Sequence, residues 1–201
     1  IKKNKLKNIK AVVTMYLGGN PDNIKNFYYL KKKYNFFLIE DACHALGGTY
    51  NSYKVGSCKY SDISTFSFHP VKPITTAEGG MITTNNKKLY EKLIIYRNHG
   101  MHKKINKFKN RHLAINEDGD VNPWYYEMSD LGYNYRITDI QCALGINQLK
   151  KLDSFLRRRT LLAKFYCEGL KNNHNITLPK TKNNVKHAYH LFTIRIDFQK
   201  I

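Results

Sequence analysis

The seven residues after Lys10, Ala-Val-Val-Thr-Met-Tyr-Leu, are almost continuously apolar and predict a buried strand over residues 10–17. Gly18-Gly19-Asn20-Pro21 follows as a turn into a helix, with Asn20 as N-cap and Pro21 at the first helical position, running to about Lys33. Residues 36–39, Phe-Phe-Leu-Ile, form a short apolar run between polar flanks, the pattern of a central parallel strand covered on both faces. Strand, helix and strand make a βαβ unit. Further strands are predicted over residues 62–68 and 81–84, then a helix over residues 86–96 with Leu89, Leu93 and Tyr96 on one face. The first half of the chain therefore reads as an open α/β sheet.

Residues 102–123 are basic and polar with little periodicity, which predicts a long surface excursion or a mobile loop. Thr138 and Gln141 then have capping-box spacing. Ile137, Ile140 and Leu144, followed by Leu149, Leu152, Phe155 and Leu156, keep one apolar face, which predicts a pair of helices leading out of the sheet. Residues 190–196 alternate like a strand for which the sequence shows no pairing partner. Neither an internal repeat nor a Pro- or Gly-rich linker is present.

Composition narrows the class. With 42% hydrophobic and 13% aromatic residues in 201, the chain is globular and can bury a sizeable core. No stretch approaches the roughly 20 consecutive apolar residues of a membrane span, so no membrane partner is expected. Cys43, Cys58, Cys142 and Cys167 match no metal-pair spacing, and the expectation is buried, reduced thiols, no metal and a cytoplasmic protein. The first residues show no charged-then-apolar leader. Net charge is +19, with lysines and arginines spread through residues 2–10, 31–33, 103–109 and 150–159 rather than gathered in one module. Zinc-finger and RRM-type signatures are absent, and Lys, Asn, Ile and Tyr are abundant together, as A- and T-rich codons dictate. A solvated basic surface rather than a nucleic-acid face is the expectation.

Ligands of open α/β sheets bind beyond the carboxyl ends of the strands, where Glu40-Asp41 stands. Lys72 lies four residues beyond the strand ending at Phe68, in a loop that Pro70 and Pro73 stiffen. A rigidly held lysine can act as a Schiff-base residue, because desolvation and nearby positive charge enlarge its neutral, nucleophilic fraction. On the residues alone, a strand-end Asp and a loop Lys are equally at home in a protein without catalysis.

Three ordered motifs decide more: Ile39-Glu40-Asp41-Ala42-Cys43-His44-Ala45; Ser67-Phe68-His69-Pro70-Val71-Lys72 with Ala77-Glu78-Gly79-Gly80; and Gly132-Tyr133-Asn134-Tyr135-Arg136. Together they resemble the DegT/DnrJ-type pyridoxal-phosphate-dependent sugar aminotransferases of the aspartate aminotransferase superfamily. The resemblance runs over essentially the whole chain and covers the middle of a family member. It implies an α/β, aspartate aminotransferase-like (PLP fold type I) architecture. Residues 1–136 would be part of the cofactor-binding large domain, and 137–201 connecting helices and the start of a smaller C-terminal domain.

The resemblance also assigns roles. Lys72 would hold pyridoxal 5′-phosphate covalently and then move the proton between substrate and cofactor. Asp41 would pair with the pyridine nitrogen, His44 with the ring hydroxyl and Ser67 with the phosphate. Asn134 would reach the phosphate of the neighbouring subunit in a homodimer with shared active sites. His69, His187 and His190 would touch a sugar nucleotide. The plainer alternatives are a strand-end carboxylate capping a turn for Asp41, a loop histidine for His44, a strand serine for Ser67, a turn asparagine before Thr138 for Asn134, and structural or surface histidines for His69, His187 and His190. Residues 123–128, 130–132 and 136–141 are similar to the subgroup that transfers an amino group from glutamate to C4 of a UDP-linked N-acetyl 4-keto-6-deoxy sugar in pseudaminic acid biosynthesis. Relatives with His at the Lys72 position are dehydratases. Thr14-Met15-Tyr16 departs from the Pro-Val-His of many relatives, a difference that bears on the substrate pocket. The rival readings are a transaminase for a perosamine, quinovosamine or legionaminic acid precursor, and a non-catalytic regulator.

Overall fold

The computed structural model describes residues 8–198, so the basic residues Lys2 to Lys7 lie outside the described part. Two compact units are present, one of residues up to Asn85 together with those from Thr138 onward, the other Asn86–Ile137. In the first unit, β1 (Ala11–Met15) leads through a 3-10 turn, Leu17–Gly19, to α1 (Ile24–Tyr34) and β2 (Phe37–Asp41). The hairpin β3 (Thr49–Tyr50) and β4 (Tyr53–Lys54) precedes β5 (Ile63–Ser67) and β6 (Gly80–Thr83). The main sheet has the order β1-β2-β5-β6, with β1, β2 and β5 parallel and β6 antiparallel.

Two details of this βαβ unit differ from expectation. α1 starts after Asn23, which adopts a left-handed conformation (φ 70°), while the Asn20 side chain accepts the Asp22 N–H at 3.3 Å. The turn thus takes three residues more than the Asn-Pro signal implies. In the sheet, β2 is covered on one face: Leu38 and Glu40 are buried, but Phe37 is 51% exposed. β1 lies at the sheet edge, with Val13 64% exposed. A run of apolar residues does not distinguish a strand packed on both faces from one packed on a single face.

The second unit opens with α2 (Lys87–Arg97), capped by the Asn86 side-chain Oδ1, which accepts the N–H groups of Lys88 and Leu89 at 2.9 and 3.2 Å. It continues through β7 (Met101–His102), α3 (Arg111–Ala114) and β8 (Glu127–Met128), with β7 and β8 antiparallel. Residues 102–123 therefore form a surface excursion with an interior of its own. Phe108, Ala114 and Tyr125 are buried together, and His102 stacks on Phe108. The Glu127 carboxylate accepts the N–H groups of Lys109 and Asn110 and the Tyr125 hydroxyl, tying the basic loop to β8.

The chain returns to the first unit as α4 (Asp139–Leu170), one continuous helix about 48 Å long rather than a pair. Its capping box is formed: Gln141 N–H donates to the Thr138 hydroxyl at 3.3 Å and Thr138 N–H to the Gln141 side-chain Oε1 at 3.0 Å. Leu152 and Leu156 are buried with Leu38, Phe66 and Ala188, whereas Ile140 is 85% exposed. Beyond the helix come β9 (Ile176–Thr177), β10 (Val185–Lys186), which extends the β3–β4 hairpin, and β11 (Arg195–Ile196), which pairs with β9. The closing strand has a partner, and residues 191–194 are irregular. All four cysteines are free, but only Cys58 is buried; Cys43, Cys142 and Cys167 are half-buried. Among the described residues no cluster could hold a metal ion and no helix is long and apolar enough to cross a membrane.

Candidate active site

Strand alternation sends the two acids of Glu40-Asp41 to opposite faces. Glu40 is 4% exposed and accepts the hydroxyl hydrogen bonds of Ser64 and Tyr16. Burial first, then the Glu40 charge and hydrogen bond, push the Tyr16 phenol far above its ordinary range. Asp41, half-buried, ends β2 on the other face, in register with Met15 and Thr65. Cys43 N–H donates to its Oδ1 at 3.2 Å, closing a turn that presents His44.

The turn after β1 meets the turn after β2. Gly18 N–H donates to His44 Nδ1 at 3.3 Å. Gly19 has φ 101°, and a Cβ there would lie 2.6 Å from the His44 carbonyl oxygen, so glycine is required by both conformation and space.

Lys72 is carried on a loop closed at its base. Phe68 N–H donates to Gly79 O, and Phe68 O accepts Thr76 N–H and the Thr75 hydroxyl. Buried Ile74 and Thr76 anchor the loop, and the Gln141 side chain at the start of α4 donates to Glu78 O at 2.8 Å. At the loop's start, Ser67 Oγ accepts His69 N–H at 3.4 Å, and exposed His69 uses its Nδ1 to accept Val71 N–H.

Electrostatics show which side chains share this space. Burial pushes the Cys43 thiol up to about 11, reinforced by a hydrogen bond to Asp41 and the Asp41 charge and opposed by Lys72. His44 is pushed down by burial and by Lys72, against the pull of Asp41. His190 is lowered to about 4 by burial, then by His44, Lys72 and Arg159. The His190 ring lies 4.2 Å from that of His44, centroid to centroid, and its buried Nδ1 has no hydrogen-bond partner. Asp41, Cys43, His44, Lys72 and His190 thus converge, the last from more than a hundred residues away.

The remaining predicted residues stand apart from that cluster in what they do. His187 is buried; its Nδ1 accepts Tyr189 N–H at 2.8 Å and its ring stacks on Tyr189. Burial lowers its pKa to about 4. Asn134 lies in the second unit, bridged to Asn98, whose side chain accepts a hydrogen bond from Arg136. Sequence reasoning missed Cys43, Gly18 and Arg159. The Gly18-Gly19 doublet directly after a strand end was the available signal for the first contact; Arg159, inside a basic helical run, carries none.

All 201 residues match one protein family, the DegT/DnrJ/EryC1/StrS aminotransferases. The chain is 44% identical over 186 residues to UDP-4-amino-4,6-dideoxy-N-acetyl-beta-L-altrosamine transaminase of Campylobacter jejuni, covering 92% of this chain and 44% of that protein. It is 35% identical over 185 residues to GDP-perosamine synthase of Escherichia coli, covering 92% and 44% respectively. Among solved structures it is similar to PseC of Helicobacter pylori, an aminotransferase involved in the biosynthesis of pseudoaminic acid. That likeness has a TM-score of 0.81 and 34% identity over 98% of this chain and 48% of the other. The chain spans about half the length of the curated relatives it matches. By sequence over its whole length, the chain belongs to the DegT/DnrJ/EryC1/StrS aminotransferase family.

Proposed function

We propose that this chain forms the catalytic part of a cytoplasmic, homodimeric transaminase using pyridoxal 5′-phosphate. It would move an amino group from glutamate to C4 of a nucleotide-linked 4-keto-6-deoxy sugar, the UDP-linked N-acetyl sugar of pseudaminic acid biosynthesis. The observation that carries this reading is the meeting of Asp41, His44 and Lys72 at the ends of adjacent strands. An amine, a carboxylate and an imidazole are the groups that pyridoxal phosphate needs at its aldehyde, ring nitrogen and ring hydroxyl, so the donor set fits the cofactor. When bound, the cofactor supplies an aldehyde and an electron-accepting ring.

The chain's own residues do the rest. Lys72 binds the cofactor and, once its amine is freed, moves the proton at the substrate carbon as base and then acid. Its loop, closed at both ends by hydrogen bonds, limits where that amine can go. Asp41, held by Cys43 N–H, keeps the ring nitrogen protonated. Because Gly18 N–H occupies His44 Nδ1, the neutral imidazole carries its proton on Nε2 and donates from there to the ring hydroxyl. Ser67 contributes its hydroxyl to the phosphate, joined by Asn134 of the neighbouring subunit. Of the three histidines assigned to the sugar nucleotide, His190 lies beside His44, His69 is exposed at the start of the Lys72 loop, and His187 instead fixes the turn at Tyr189.

Borohydride reduction of protein purified with pyridoxal phosphate, followed by peptide mapping, tests the reading: the adduct is expected on Lys72 and absent in Lys72→Ala. An adduct that persists in the variant places the attachment elsewhere. Product analysis with glutamate and UDP- or GDP-linked 4-keto sugars then separates this substrate from a perosamine precursor, the alternative that similarity to GDP-perosamine synthase supports.

A further inference from the structure

Arg159 lies near the middle of α4, half-buried, and donates through one Nη to the carbonyls of Tyr189 and His190 at 3.1 and 3.2 Å. Those carbonyls belong to a turn in which Tyr189 takes a left-handed conformation (φ 46°) that bulky residues rarely adopt. The same turn docks on the glycine pair: Ala188 N–H donates to Gly19 O at 2.9 Å and Leu191 N–H to Gly18 O at 3.2 Å. Gly18 in turn donates to His44. A continuous path therefore runs from the Arg159 guanidinium through the turn to the two imidazoles of His44 and His190, which lie in contact at an interplanar angle of 37°.

We propose that Arg159 is a positioning residue of the active site, holding the left-handed turn at Tyr189 so that the His190 ring is fixed against His44 with its buried Nδ1 free for a ligand. This rests on the transaminase reading for what the site does, and on the hydrogen bonds alone for how it is held. Arg159 also contributes charge. Together with Lys72 and His44 it opposes protonation of His190, while Asp41 favours protonation of His44. Burial is the main reason His190 is neutral; Arg159 holds the turn that keeps the ring buried and adds the smallest of the charges that oppose its protonation.

Histidine NMR on ¹⁵N-labelled protein without cofactor tests this directly. In the native protein His190 is expected to titrate near pH 4 and to show a ring-current shift from its tilted contact with His44. Arg159→Met, which keeps the stem but removes donors and charge, is expected to let the turn move, so that the His190 ring loses burial, its pKa rises from about 4 and that shift is reduced. Arg159→Lys is expected to retain both. With cofactor, glutamate and keto sugar, Arg159→Met should raise KM for the sugar, lowering kcat/KM by as much as about 100-fold, while the Lys72 adduct forms normally. Unchanged His190 behaviour in Arg159→Met, or Arg159→Lys no better than Arg159→Met, overturns the proposal. Should Arg159→Met not fold, Arg159→Gln, too short to reach both carbonyls, is read by the same spectra and the same kinetics. A protein that forms no Lys72 adduct yet shows the histidine coupling sinks the transaminase reading and leaves the positioning role standing; the reverse pattern sinks the positioning role alone.

Discussion

Adjacent residues at the end of β2 have separate fates because successive side chains of a strand face opposite ways. Glu40 enters a buried hydroxyl network, and Asp41 faces the lysine loop. Asp41→Asn is therefore expected to leave cofactor bound while lowering turnover on the order of 10²- to 10⁴-fold, since an amide cannot hold the ring-nitrogen proton. Wild-type rates in that variant would remove the role given to Asp41. His187 and His190, both lowered to about 4, set a pH dependence of stability. The fold prefers the neutral imidazole, so on acidification the unfolded chain binds protons from about pH 6.5 while the folded chain resists until about pH 4. Stability is expected to be flat above that window with respect to these groups and to fall through it. Urea midpoints at pH 7 and pH 4.5 should show the drop, and His187→Gln should reduce it.

At the scale of elements, the strongest local signals gave the right structures: the capping box at Thr138, the helix beginning near Asn86 and the β5 and β6 strands. Thr138→Ala should cost about 1 kcal/mol by losing the cap, and more locally it loosens Gln141, whose amide holds Glu78 O at the base of the lysine loop. Hydrogen exchange at residues 75–79 checks this: faster exchange in Thr138→Ala is expected, and unchanged exchange would disconnect the helix start from the loop. Residues 102–123 were illegible because their order comes from a few contacts with no period, above all the Glu127 carboxylate on two loop N–H groups and the Tyr125 hydroxyl. Glu127→Gln should raise protease cleavage within residues 103–111 with little change in the first unit.

For the whole molecule, the proposed shared site makes a test of its own. A Lys72→Ala chain and an Asn134→Ala chain are each expected to be impaired, but a mixed dimer has one site with both native groups and one with neither. Activity should recover toward half that of a wild-type dimer per mixed dimer; no recovery, with subunit exchange shown by native mass spectrometry, would place Asn134 in its own chain's site or in none. Which residue types stand at each strand end was determined by the sequence itself: the acid of β2, the prolines of the lysine loop and the cap of α4 are local patterns, although the loop is also held from a distance by Gln141 on Glu78 O. Tertiary structure alone decided which of the histidines join that chemistry. His190 reaches His44 because the chain after α4 folds back onto Gly18 and Gly19, and Arg159 bonds two carbonyls there. Bonds to backbone carbonyls, and a left-handed turn taken by a tyrosine rather than a glycine or asparagine, leave no mark in residue type or period. For the same reason the apolar stripe of α4 did not reveal which of its turns are buried: Leu152 and Leu156 meet the sheet and Ile140 does not, an outcome set by where the helix crosses the core.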